Sequence, residues 1–166
     1  MMKLKILWLV LLLFICTATP VEAQNDLPVI SRVERVIKYK EPKWQYIRGI
    51  CTCPPLIPGQ KSMSVTQWVR QNERGIRESI SIDFYEVTSA EEVAQWMLHF
   101  DRGEIAEGWQ VKKYDLGDQA YILSYRDGSR TSIYFRKDNI VVEVSGESLK
   151  DVERFAQHVI EAIRAS

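Results

Sequence analysis

The stretch LGDQAYILSYRDGSRTSIYFRKDNIVVEVSG, residues 116–146, decides the fold. It reads as three consecutive antiparallel strands with both turns written into the chain. Asp127-Gly128 is a strong hairpin signal, because glycine supplies the positive φ that a tight primed turn demands. Lys137-Asp138-Asn139 marks the second turn, since Asp and Asn tolerate the left-handed region and bond their own backbone. Between the turns Ile133 and Phe135 fall on one face, with Ser132 and Tyr134 on the other. In the last strand Ile140, Val142 and Val144 share a face, opposite Val141, Glu143 and Ser145. Such alternation predicts a sheet with one dry face and one wetter face.

Working outward, residues 76–88 alternate in the same way, with Ile80, Ile82 and Phe84 between Ser79, Ser81 and Asp83. Residues 62–71 read as a further strand joined to it by an Asn-Glu-Arg-Gly turn, and residues 109–114 as a short one. Two helices carry Ser caps. Ser89-Ala90-Glu91-Glu92 is a capping box opening a helix to about residue 100, and Ser148 opens another to about residue 164. Val93, Trp96, Met97 and Phe100 form the stripe of the first; Val152, Phe155, Ala156, Val159, Ile160 and Ile163 form that of the second. The expected fold is therefore α+β: a mainly antiparallel sheet with these two amphipathic helices packed on one, apolar face. The helices also resemble each other at an offset of 59 residues, Val93 matching Val152 and His99 matching His158, so a ββα pseudo-repeat is possible. Periodicity alone produces such matches too.

Upstream, residues 32–39 and 44–52 flank Glu41-Pro42-Lys43 and read as a hairpin. The alternative is a helix, since Val29, Val33, Val36 and Ile37 have helical spacing. Residues 53–59, CPPLIPG, carry three prolines and form a loop with polyproline character.

The first segment has the layout of a secretory signal peptide: Lys3 and Lys5, an apolar run over residues 6–16, then small residues ending at Ala23. The apolar run holds 11 residues, against the roughly 20 that a membrane span needs. Cleavage after Ala23 leaves 24–31 as a flexible arm and 32–166 as one domain, secreted or periplasmic, with no membrane insertion. Removal of residues 1–23 takes Lys3, Lys5 and Glu22 with it and leaves a net charge of −1. A balanced chain lacks the basic footprint of a nucleic-acid binder.

Cys51-Thr52-Cys53 is the most unusual local feature. These are the only cysteines beyond the signal segment, and an exported chain meets an oxidising compartment. In an extended strand they stand about 6.6 Å apart, whereas a disulfide needs β-carbons roughly 3.5–4.5 Å apart. A bridge there is strained, and strained bridges are the reducible ones. A static staple, a redox pair, an intermolecular bridge, free thiols and a metal site all stay open. His99 and His158 stand at no ligand spacing from the thiols or from each other, so they read as helix-surface residues and no metal or other cofactor is implied. Trp44 and Tyr46 share a face of an expected strand, with Arg48 following. Exposed, they would bind a sugar, a peptide or an aromatic ligand; the competing reading packs the two rings under a helix. No nucleophile elbow, zinc-protease motif or phosphate loop is present.

The run Leu116-Gly117-Asp118-x-Ala120, then Phe135-Arg136-x-x-Asn139-Ile140-Val141-Val142-x-Val144, resembles a strand pattern of secreted bacterial domains of unknown function. Such domains look like small α/β sandwiches of the photosystem-accessory P-protein type. The resemblance covers roughly the last third of the chain and implies a noncatalytic envelope module, with no functional residue carried over. The function read from the sequence is an exported binding or accessory module of the bacterial envelope. Its partner is an unspecified protein or small molecule, met at the open sheet face or a sheet edge. The alternative is a thiol–disulfide protein working through Cys51 and Cys53.

Overall fold

The computed structural model describes residues 28–49, 55–103 and 106–165. The expected signal peptide, most of the expected arm, and Cys51 and Cys53 lie outside the described residues. Seven antiparallel strands form one sheet: β1 (Gln45–Gly49), β2 (Gln60–Gln71), β3 (Arg77–Val87), β4 (Trp109–Tyr114), β5 (Gln119–Tyr125), β6 (Thr131–Lys137) and β7 (Ile140–Gly146). Among the described residues three helices accompany it: α1 (Pro28–Lys40), α2 (Ala90–Met97) and α3 (Leu149–Arg164). The sheet order is β1-β2-β3-β7-β6-β5-β4. Two meanders, β1–β3 and β4–β7, are therefore joined at the centre by the β3–β7 pairing. None of the described helices is long and apolar enough to cross a membrane.

The α+β class and the antiparallel sheet are as the sequence predicts; the assignment of helices to faces is not. Ile80, Ile82, Phe84, Ile133, Phe135, Val142 and Val144 form one core with α1 and α3. The helix α2 packs on the other face, with Val93 and Met97 against Tyr85, Val87, Tyr121, Leu123 and Val141. Two helices do share a face, but α1 takes the place expected for α2. A two-fold axis normal to the sheet would exchange antiparallel β3 and β7 while keeping both following helices on one face. Since α2 and α3 lie on opposite faces, the two halves share an order of elements and not a symmetry.

Residues 32–39 are not a strand. They belong to α1, which begins at Pro28 and so also takes in the end of the expected arm. The β-branched run VISRVERVIKYK mimics a strand locally, but Val29, Ile30, Val33 and Ile37 make one buried stripe against α3. Pro28 suits the first helical turn and Lys38 and Lys40 suit the last, where they meet the negative end of the helix dipole. Lys40 pairs with Glu161 and Arg32 donates to the Ala162 carbonyl at 3.3 Å, so α1 is tied to α3.

The β5–β6 turn is longer than the two-residue form that Asp127-Gly128 suggests. Tyr125 N–H donates to the Arg130 carbonyl, and Ser129 N–H to Asp127 Oδ1 at 2.8 Å. The β6–β7 turn is the two-residue kind, with Lys137 opposite Ile140 and Asp138 at φ 54°.

Gly117 and Asp118 fasten the β4–β5 turn to this hairpin. Asp118 accepts from the Asp138 N–H at 2.8 Å and from Lys137 Nζ at 3.1 Å. Burial works against the Asp118 carboxylate, but these bonds and the charges of Lys137 and Arg136 hold it below the usual aspartate range.

Candidate functional site

The face that α2 covers at one end carries a polar strip set by strand register. Asp83 on β3 stands directly opposite Glu143 on β7, which stands opposite Tyr134 on β6. In the neighbouring row Ser81 is opposite Ser145, and Ser145 opposite Ser132. Directly opposed residues in antiparallel strands have β-carbons about 4.5–5.5 Å apart, so two carboxylates are held side by side. Like charges so placed are unfavourable, and a core of valines would serve the fold better.

The carboxylates are held by hydroxyls. Ser132 Oγ donates to Glu143 Oε1 at 2.9 Å and Tyr134 OH to Glu143 Oε2 at 2.5 Å. Ser81 Oγ donates to Asp83 Oδ1 at 2.8 Å. Among the described residues neither carboxylate has an ion-pair partner. Burial pushes the Asp83 carboxyl up to about 6, with the Glu143 charge adding to the rise and the Ser81 bond and Arg130 opposing it. Burial, then the Glu143 charge, raises the Tyr134 hydroxyl, and burial with both carboxylates raises that of Tyr85. Both phenols therefore stay protonated as donors.

A cavity of about 440 Å³ opens over this strip, lined by His99, Ala106, Trp109, Leu123, Arg130, Ser132, Tyr134 and Glu143. Its walls come from the segment after α2, from β4 and from the β5–β6 turn. His99 is fixed by the Trp96 carbonyl at 2.5 Å from Nδ1 and lies against the Phe100 ring, centroids 3.9 Å apart. Trp109 meets Tyr125 edge to face at 5.5 Å. Aromatic walls and convergent polar groups, with the Asp83 carboxyl beside them, are what a small-molecule site contains.

The residues singled out in the sequence lie elsewhere. Trp44 is 4% exposed, edge to face with Phe155 at 5.0 Å and capped by the Arg70 guanidinium at 4.4 Å. Tyr46 packs on Trp68 at 5.1 Å on the α1 and α3 face. These two rings sit under the helices, away from the cavity, so the packing reading applies rather than the ligand reading. Arg48 pairs with Thr66 through the β1–β2 ladder. His158 contacts Glu41 at 3.0 Å within an ion network that also holds Arg154, Asp151, Arg70 and Glu78. Of the residues discussed above, His99 lines the cavity. No group of three or more His, Cys, Asp or Glu among the described residues could hold a metal ion.

Asp83 and Glu143 were legible only as wet-face residues; no local motif joins positions 60 apart. The comparisons leave the site where its geometry puts it. No family model matches this chain. No curated protein matches it. Among solved structures a Thermotoga maritima protein described as a GTP binding regulator is similar at 15% identity and a TM-score of 0.46, over 81% of this chain and 89% of that one.

Proposed function

We propose that this chain is an exported binding module of the bacterial envelope whose ligand site is the cavity over β5, β6 and β7. One observation carries the reading: Asp83 and Glu143 stand side by side, with no ion-pair partner among the described residues, beside an aromatic-walled cavity. Adjacent half-buried carboxylates oppose folding, and places where a chain departs from its own packing rules are where function is sought. The layout of residues 1–23 supports export.

The test is NMR observation of the purified chain against a panel of small amines, sugars and carboxylates. The expected result is shift changes confined to Trp109, Tyr134 and Glu143 with one class of compound. Saturable changes located only on the β1–β2 end of the sheet would reject this cavity as the site.

A further inference from the structure

The donors and acceptors around the cavity define the ligand it matches. The hydroxyl hydrogens of Ser132 and Tyr134 are both committed to Glu143, and that of Ser81 to Asp83. A carboxylate offers about four lone-pair sites, so both groups retain accepting capacity, and Asp83 Oδ2 takes no donor among the described residues. A carbonyl can only accept, so His99 Nδ1 carries the hydrogen that faces Trp96. Ser145, 5% exposed, stands between Ser81 and Ser132 in the same row. Against these acceptors the described wall residues include the Arg130 guanidinium and the Trp109 indole as donors. Arg130 is exposed, so solvent screens its charge more than that of the carboxylates beneath. The site is rich in acceptors and negative charge.

We propose that the cavity binds a primary alkylammonium ligand, with its N–H donors on Glu143, the neighbouring Asp83 adding negative charge, and its carbon chain against Trp109 and Tyr134. This rests on the reading of the cavity as the ligand site and adds the ligand class. An ammonium brings three donors and no acceptor, and aromatic faces attract its charge. A sugar hydroxyl brings an acceptor with every donor, and a quaternary ammonium brings charge without N–H donors.

The test titrates pentylamine into the purified full chain by calorimetry, with the Trp109 indole followed by NMR. Pentanol and tetramethylammonium serve as the neutral and donor-free controls. Pentylamine should bind with one site and at least about tenfold more tightly than either control, the loss expected for a missing charge-assisted hydrogen bond. Glu143→Gln should weaken it about ten- to a hundredfold, and Asp83→Asn provides the same reading if the first variant misfolds. Equal affinity for tetramethylammonium would overturn the proposal. So would a monosaccharide that moves the Trp109 indole when pentylamine does not, although the cavity would then stand as a ligand site. Neither class moving any cavity residue would remove both.

Discussion

Asp83 is where the fold and the site conflict. Its carboxyl is raised by burial first and then by Glu143, while Arg130 and Ser81 oppose the shift, and Tyr85, Tyr134 and His99 are the other titratable groups near the strip. Because the folded value lies above that of an unfolded aspartate, the native state binds more protons than the unfolded chain between about pH 4 and about pH 6. This residue therefore withdraws stability as pH rises through that window. Asp83→Asn keeps an acceptor for Ser81 and removes the charge, so it should stabilise the protein at neutral pH by about 1–3 kcal/mol, with no gain near pH 3. Urea unfolding of both proteins at the two pH values measures this, and a loss at neutral pH would refute it. The same substitution should weaken amine binding, so stability and affinity should move in opposite directions.

At the scale of elements, the turn-fastening residues and the helix caps carry the sharpest expectations. A β-carbon at Gly117 would sit 2.4 Å from the Arg136 carbonyl oxygen, at a φ of +65° that other residues rarely adopt. Gly117→Ala should cost about 2–4 kcal/mol, read as a lower thermal midpoint with the cavity shifts retained. Ser148 accepts from the Asp151 N–H at 3.3 Å, and Ser148→Ala should cost about 1 kcal/mol. These features were legible because they are local: Ser89 and Ser148 cap the helices that their spacing announces, and Gly117-Asp118 makes a turn. The strands were legible for the same reason, down to the sharing of one face by Ser132 and Tyr134 and by Glu143 and Ser145. What the chain could not disclose locally was α1, whose β-branched composition suits a strand until α3 packs against it. Nor could it disclose the site, because the opposition of Asp83 and Glu143 depends on the register of two strands from different meanders. Trp44 carried two readings, and Phe155 and Arg70 cover it as the packing reading expects.

At the scale of the molecule, export and the cysteines are the open expectations. The intact mass of protein recovered outside the cytoplasm should correspond to a chain beginning at Gln24. A mass that retains residues 1–23 would remove the export reading. Changing Cys51 and Cys53 together to serine should leave ligand binding at the cavity unchanged, and loss of binding would favour the thiol–disulfide alternative. The β3–β7 ladder joins two otherwise separate meanders, so its amides should exchange slowest with solvent and report global unfolding. The packing of α1 on α3 has a consequence for biosynthesis. A polypeptide emerges N-terminus first, and the apolar stripe of Val29, Ile30, Val33 and Ile37 lacks its α3 partner until residues 149–164 follow it out. The first described helix can therefore settle fully only after the last has been synthesised.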